Sequence, residues 1–154
     1  MTDLGGESDR RYEVDVDPGR VDVEAVWQFM SNEAYWNRWR TREDIEHQIR
    51  SAWRLVGAYV VGSGEMVGFA RATSDGVSDA YLGDMYVERA HRGRGISRRI
   101  LESMIDEGPG RDFRWMLVTS DAHGLYAKYG FAVPDERVMV RAPRPRTGEN
   151  STPT

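Results

Sequence analysis

The residues best placed for chemistry form a basic, glycine-spaced turn, Arg92-Gly93-Arg94-Gly95. An apolar run over residues 81–87 precedes this turn, and a helical pattern follows it. The residues that recur with the helical period are Ile96, Ile100, Leu101, Met104 and Ile105. Unpaired N–H groups and the positive end of the helix dipole favour an anion at such a helix start. Because glycine has no Cβ, the backbone can approach a bulky phosphate closely. The segment therefore predicts a phosphate-binding turn.

The arginines around this turn have two interpretations. A run of charges usually forms a solvated face, and the run here consists of Arg89, Arg92, Arg94, Arg98 and Arg99. Positive charges at a helix start lie on the unfavourable end of the dipole, however, and a bound polyanion would remove that conflict. This favours phosphate binding by Arg92 and Arg94, and it leaves Arg98 and Arg99 open.

A second segment with reactive side chains is Leu125-Tyr126-Ala127-Lys128-Tyr129-Gly130-Phe131. Tyr126 shares a helical face with Leu125 and Tyr129, so the pattern alone would place it in the core. His123 lies in the first turn of the same helix and could face a substrate, although a single histidine is more often structural. His91, in the basic turn, is expected to be exposed and without a role.

The elements that must position these residues follow the predicted order β-α-α-β-β-β-α-β-α-β-β. The strands are expected at residues 11–16, 55–61, 66–73, 81–87, 115–119, 131–133 and 137–140. The helices are expected at residues 22–31, 42–52 and 96–107, and from Ser120 or Asp121 to Gly130. Asp22 is a candidate N-cap, and Thr41 with Asp44 resembles a capping box. The result is a mixed α/β domain of about seven strands and about four helices.

Composition limits the classes of protein. The chain has 154 residues, 40% of them apolar, and no cysteine, which indicates one folded domain without disulfides or thiolate metal sites. A net charge of −4 and a pI near 5.4 disfavour nucleic-acid binding. Three histidines lack metal-ligand spacing, and no apolar run has the length of a membrane span. We expect a cytoplasmic domain over residues 10–141, a flexible N-terminus over 1–9 and a disordered tail over 142–154.

The element order and two motifs resemble the GNAT family of N-acetyltransferases, over roughly residues 11–141. The segment from Arg92 to Ser97 matches the family's Arg/Gln-x-x-Gly-x-Gly/Ala loop, with serine in place of the last small residue. The segment from Leu125 to Phe131 matches its Leu-Tyr-x-x-x-Gly-Phe signature. Neither a P-loop nor a dinucleotide fingerprint is present.

This resemblance implies acetyl-CoA as the acyl donor, with no metal. The loop would cradle its pyrophosphate, and the preceding strand would expose backbone groups to the pantetheine. The implied binding residues are Met85, Tyr86, Val87, Arg92, Gly93, Arg94, Gly95, Ile96, Ser97 and Tyr126. A backbone N–H near Met85 to Val87 would stabilise the oxyanion, and Tyr126 would lie near the sulfur and protonate the leaving thiolate.

Removal of the amine proton requires a base, since a lysine-like amine with a pKa of about 10.4 is mostly protonated at neutral pH. Asp84 is the first candidate, because it is a carboxylate in an apolar strand beside the expected thioester. The glutamate common in histone-type members would fall near Tyr81. Alternatively, Asp84 only binds the cationic amine or pairs with an arginine such as Arg71. Asp121 and Glu88 are weaker candidates for the base.

Three aromatic residues, Tyr35, Trp36 and Trp39, are either core residues or the lining of a substrate pocket. We assign Tyr35, Trp36, Asp84 and His123 to the acceptor site. The expected function is transfer of an acetyl group to a primary amine of a small molecule, by direct attack in a ternary complex. The alternatives are a non-catalytic acyl-CoA-binding regulatory module and a protein or aminoacyl-tRNA acetyltransferase. No nucleic-acid or membrane partner is expected, and a homodimer is left open.

Overall fold

The computed structural model describes residues 11–146. Five strands form one sheet in chain order: β1 (Tyr12–Asp15), β2 (Arg54–Val60), β3 (Met66–Ser74), β4 (Asp79–Val87) and β5 (Arg114–Met116). Neighbouring strands are antiparallel, except that β4 and β5 are parallel. The helices are α1 (Val23–Asn32), α2 (Arg42–Ser51), α3 (Ile96–Leu101) and α4 (His123–Ala127). A π-helical turn, Glu102–Asp106, continues α3. Within residues 11–146, none of the helices combines the length and apolarity needed to cross a bilayer.

The starts of α1 and α2 confirm the predicted caps. Asp22 accepts a hydrogen bond from the backbone N–H of Ala25 at 3.1 Å. Thr41 and Asp44 form the reciprocal capping box, in which each side chain accepts from the other residue's backbone N–H, at 2.8 and 3.2 Å. Each cap satisfies N–H groups that have no partner within the helix, so local sequence is sufficient to begin both helices here.

Helices cover both faces of the sheet. Successive residues of β2 point to opposite faces, so Leu55 and Tyr59 pack with α1 and α2, whereas Val56 and Ala58 pack with α3. The first core includes Val26, Phe29, Met30, Ile45, Ile49, Phe69 and Tyr86. The second includes Val67, Ala70, Leu82, Ile96, Ile100, Leu101 and Met104. The mixed α/β architecture is therefore confirmed.

The described part of the chain contains five strands, instead of the expected seven or so. The predicted strands at 131–133 and 137–140 have no regular structure, and Val133 and Met139 are 80% and 93% exposed. The N–H of Arg137 donates to the Asp135 carboxylate, and this local turn competes with strand pairing. Pro134 has no N–H to donate. β5 also ends at Met116, so it is too short to template further strands.

The start of one helix also differs from the prediction. α4 begins at His123 and has no side-chain cap, whereas Ser120 or Asp121 had been expected to cap it. The hydroxyl of Thr119 instead accepts from the N–H of Ala122 at 3.1 Å. Residues 1–9 and 147–154 of the expected termini lie outside the described residues. Residues 142–146 are irregular, and the Arg146 guanidinium lies over the Trp39 ring at 3.5 Å.

Candidate active site

Two cavities lie beside the end of β4 and share part of their walls. The first has a volume of about 780 Å³ and is bordered by the end of α1, the segment after it, β4 and α4. The second, of about 540 Å³, is bordered by the glycine-rich turn, α3 and α4. The residues common to both walls are Val87, Arg92, Ser97 and Leu125. The two cavities therefore form neighbouring parts of one site.

The glycine-rich turn opens onto the second cavity. Gly93 and Gly95 have φ angles of +78° and +76°, a conformation that glycine adopts without steric cost. A Cβ built on either residue would meet no protein atom within 4 Å, so the space above both is open. Arg92 ties the turn to the end of β4 through a hydrogen bond from Nε to the Val87 carbonyl, at 2.9 Å. This open, backbone-lined turn fits a phosphate group.

The remaining arginines of the turn are bound to other parts of the protein. Arg94 does not line either cavity, and its Nη1 donates to the Tyr12 hydroxyl at 3.2 Å. Arg99 donates to the Tyr12 carbonyl at 2.6 Å, and Arg98 forms an ion pair with Glu102 at 2.7 Å. Of the two arginines assigned to phosphate, only Arg92 therefore lines the cavities.

His91 was expected to be exposed, and this prediction is wrong. It is only 5% exposed, and its Nδ1 lies 2.8 Å from the hydroxyl of Tyr12 on β1. The two rings also meet edge to face at 5.6 Å. His91 thus packs beneath the turn and joins it to the far edge of the sheet. Its partner is 79 positions away in the chain, so no local pattern reveals the contact.

β4 is distorted at the point where it reaches the first cavity. Asp84 has a φ of +53°, in the left-handed region, and the pairing with β3 shifts register between Phe69 and Arg71. Beyond this bulge, Met85 and Val87 line the cavity. The pairing of β4 with β5 ends at Tyr81, so β4 continues to Val87 without a β5 partner. Backbone N–H and C=O groups on that edge are consequently available to an extended, amide-containing ligand.

Tyr86 lies on the same stretch of β4 and reaches the first cavity from the core. It is 5% exposed and stacks on Phe29 with ring centroids 3.8 Å apart. Burial raises the pKa of its phenol far above the usual value, with a smaller contribution from the nearby Glu88. Its hydroxyl has no hydrogen-bond partner in the described part of the chain. Tyr86 therefore supports the cavity wall as a neutral, stacked ring.

Asp84 itself is buried in ion pairs behind the cavity wall. Its carboxylate accepts from Arg40 at 2.6 and 2.9 Å and from Arg71 at 2.6 Å, and its side chain is only 4% exposed. Burial raises its pKa, but the hydrogen bond from Arg40 and the charges of Arg71 and Arg40 outweigh this and lower it. The geometry favours the alternative interpretation, an ion pair with Arg71. Arg40 was not anticipated, since nothing in its local sequence marks it.

The proposed acceptor residues divide into two groups. Tyr35 and Trp36 line the first cavity together with Tyr126, and the Tyr35 and Trp36 rings meet edge to face at 5.0 Å. His123 is exposed and lines neither cavity. Trp39 is also outside, where it contacts Arg146. The structure thus brings together two of the three aromatic residues and leaves His123 apart.

Tyr126 and the two alternative bases have different surroundings. Burial raises the pKa of Tyr126, with smaller contributions from Tyr35 and Asp121. Asp121 lines the first cavity, although the sequence analysis had named it only as a weaker candidate for the base. Glu88 does not line either cavity, and burial followed by the charge of Glu33 raises its pKa. Residues 11–146 contain no cluster of three His, Asp or Glu side chains that could hold a metal ion.

Comparisons of the sequence and of the fold with known proteins point to the same family. The sequence model of the acetyltransferase (GNAT) family matches residues 23–131. A crystal structure of a protein from Xanthomonas campestris pv. campestris, assigned to the GNAT family of acetyltransferases, superposes with a TM-score of 0.79. The two sequences are 32% identical, and the match covers 86% of this chain and 93% of the other.

Two further proteins are named for the amines they acetylate. Serotonin N-acetyltransferase 2, chloroplastic, from Oryza sativa subsp. japonica is 29% identical over 105 residues, 67% of this chain and 52% of that protein. The chain therefore spans about half the length of the rice protein. Glucosamine-6-phosphate N-acetyltransferase from Arabidopsis thaliana is 11% identical, with a TM-score of 0.59 over 85% of this chain and 98% of the other. The similarity to the Arabidopsis protein therefore shows a shared fold only.

Proposed function

Because the chain belongs to the acetyltransferase (GNAT) family, we propose that it transfers an acetyl group from acetyl-CoA directly to a primary amine of a small molecule, in a ternary complex. The observation that carries this proposal is the pair of neighbouring cavities, whose walls share residues. One opens onto a backbone turn suited to phosphate, and the other is lined by aromatic and carboxylate side chains around Tyr126. Donor and acceptor can therefore meet at the shared wall.

The donor side is formed by the turn and by the free edge of β4. Gly93 and Gly95 leave room for a pyrophosphate, and Arg92 and Ser97 line both cavities. Residues 85–87 offer backbone groups to the amide-containing arm of the cofactor. When bound, acetyl-CoA supplies a thioester that is activated toward amines. An N–H of this strand edge would stabilise the negative charge that develops on the carbonyl oxygen.

Tyr126 is assigned the role of general acid. A phenol must carry its proton in order to protonate a departing thiolate, and the raised pKa keeps Tyr126 protonated throughout the neutral range. Tyr126 lines the first cavity, which supports this role because the acceptor amine is proposed to bind there.

Asp84 is assigned a different role from the one that its sequence position suggests. A carboxylate that accepts hydrogen bonds from two arginines has little tendency to accept a proton, and its pKa is lowered accordingly. We assign Asp84 as a positioning residue, which holds the bulge of β4 and the Trp36 side chain in place. The proton of the amine must leave through another group or through water.

Two considerations support a small-molecule acceptor. Serotonin, the amine in the name of the rice relative, is a small primary amine. In addition, the net charge of −4 disfavours an acceptor that is attached to tRNA.

The test is a thiol-release assay with acetyl-CoA and a panel of amines, amino acids, amino sugars and a lysine-containing peptide, combined with calorimetric titration of acetyl-CoA. Binding of acetyl-CoA together with turnover of a small amine is the expected result. Binding without turnover of any panel member would indicate the regulatory module instead. Turnover of the peptide alone would indicate a protein acetyltransferase, and absence of acetyl-CoA binding would overturn the proposal.

A further inference from the structure

A hydrogen bond joins two residues that line the first cavity. The Tyr35 hydroxyl, from the segment after α1, donates to Oδ1 of Asp121 at 2.8 Å, although the two residues are 86 positions apart. The Ser120 hydroxyl donates in turn to the Tyr35 oxygen at 2.9 Å. The second carboxylate oxygen of Asp121, Oδ2, receives no hydrogen bond from residues 11–146. Oδ1 of Asp121 is thus held by hydrogen bonds within the protein, whereas Oδ2 is available to a ligand.

This carboxylate lies close to the proposed general acid. Asp121, Tyr35 and Tyr126 line the same cavity, and the charge of Asp121 contributes to the raised pKa of Tyr126. A protonated amine bound at Oδ2 would therefore lie near the position where Tyr126 acts. A carboxylate is the usual partner of an ammonium group, because it combines opposite charge with strong acceptor oxygens.

Aromatic side chains form the adjacent wall. Trp36 packs edge to face against Tyr35, and its indole N–H is held by Asp84 at 3.0 Å, so the ring is fixed in one orientation. Fixed aromatic faces favour a flat apolar group, and they also attract cations. Glu33 lines the same cavity and adds a second negative charge, which disfavours an acceptor that carries an anion near its amine.

On the basis of the proposed function, we infer that Asp121, positioned by Tyr35, binds the ammonium group of the acceptor and makes the enzyme selective for aromatic amines without a carboxylate beside the nitrogen. Asp121 is then a specificity-determining residue for this reaction. The proton-transfer step itself is not assigned to it.

The arginines of the cavity suggest a competing arrangement, which the experiment must address. Arg89 and Arg92 also line the first cavity, and both belong to the segment that leads from β4 into the glycine-rich turn. We assign them to the donor side for that reason. If Arg89 instead bound an acceptor carboxylate, amino acids would be favoured over the corresponding amines.

The experiment compares tryptamine with tryptophan, which differ only in the α-carboxylate. For the wild type, we expect kcat/KM to favour tryptamine by about 100-fold. Asp121→Asn, which is nearly isosteric, should lower kcat/KM for tryptamine by about 10- to 100-fold, mainly through KM, and affect tryptophan much less. The preference for tryptamine over tryptophan should therefore be largely lost in this variant. Tyr35→Phe should show a smaller change in the same direction.

The control is Asp112→Asn, which removes the charge of a carboxylate that is 91% exposed and lines neither cavity. It should leave the preference unchanged. All variants should retain the wild-type circular dichroism spectrum and acetyl-CoA affinity, because Asp121 is exposed and has no role in the core.

Three results would overturn the inference while leaving the proposed function intact. The first is an unchanged preference in Asp121→Asn. The second is preferred turnover of tryptophan that Arg89→Gln abolishes. The third is turnover of other small amines with none of tryptamine. By contrast, binding of acetyl-CoA without turnover of any amine would overturn the proposed function, and the inference with it.

Discussion

The indole Nε1 of Trp36 donates a hydrogen bond to Oδ1 of Asp84 at 3.0 Å, and this contact joins the wall of the acceptor cavity to the buried ion pairs of the sheet. Asp84 also occupies the left-handed bulge of β4 that directly precedes Met85. A single carboxylate therefore positions both an aromatic wall and the strand edge that faces the donor. This arrangement explains why an anion is present in an otherwise apolar strand.

Removal of the Asp84 charge should destabilise the protein. Asp84→Asn leaves the buried Arg40 and the half-buried Arg71 without a counter-charge, and breaking a buried ion pair in this way costs about 3–5 kcal/mol in the free energy of unfolding. Urea unfolding followed by circular dichroism measures the difference. The exposed Asp112→Asn variant should stay within about 0.5 kcal/mol of the wild type. Wild-type stability of Asp84→Asn, together with a loss of turnover, would restore Asp84 as the base.

The same carboxylate should make stability depend on pH in the acidic range. Because the pKa of Asp84 is lowered in the folded protein, its ionised form stabilises the fold at pH values above the unfolded-state pKa of about 3.9. This contribution is lost as the pH falls through the lower, folded-state pKa. Unfolding measured from about pH 2 to about pH 7 should show the gap between wild type and Asp84→Asn narrowing only at the acidic end. A gap that is constant over the whole range would contradict the ion-pair account.

The open turn gives a prediction with an internal control. Gly95→Ala and Gly64→Ala place a methyl group on residues with nearly equal φ angles, +76° and +73°, and neither Cβ would meet a protein atom within 4 Å. Both should therefore lose a similar stability, roughly 1–2 kcal/mol. Only Gly95→Ala should weaken acetyl-CoA binding, by about 10-fold or more, because its methyl group occupies the space proposed for phosphate. Calorimetric titration compares the two, and equal affinities would contradict the placement of the donor.

Tyr126→Phe tests the general acid, since it removes one oxygen and keeps the ring. Turnover should fall by about 100-fold or more, with acetyl-CoA affinity nearly unchanged. Tyr81→Phe is the control, because Tyr81 is 37% exposed and lines neither cavity. A wild-type rate in Tyr126→Phe would instead make Tyr126 a packing residue.

The pH profile provides a second readout for Tyr126. Burial, with smaller contributions from Tyr35 and Asp121, raises the pKa of Tyr126 above the usual phenol value of about 10. The acid form is the active one in this role, and a decline in rate caused by Tyr126 should therefore begin only above about pH 10. Steady-state rates across the alkaline range should show this decline in the wild type and not in Tyr126→Phe. A Tyr126-dependent decline near neutral pH would contradict the assignment.

Much of the fold follows from patterns within short segments, and the α/β GNAT fold expected from the two motifs is confirmed. The caps at Asp22 and Thr41 depend on contacts between residues three positions apart, so the local sequence is enough to predict them. Glycine at positions 93 and 95 permits the positive φ angles that the turn adopts. The two C-terminal strands were not predictable in this way, because a strand also needs a partner and β5 ends at Met116.

The environment of each reactive side chain was decided by tertiary contacts instead. The sequence leaves Asp84 open as a base or as an ion-pair partner of Arg71, and folding brings Arg40, 44 positions away, against it. The same holds for Tyr35 and Asp121, 86 positions apart, and for His91, which packs beneath the turn against Tyr12. Charge, burial and pKa depend on which groups lie within a few ångströms, and that proximity comes from packing between elements. The order of residues therefore determines which elements form, whereas their assembly determines what each side chain can do.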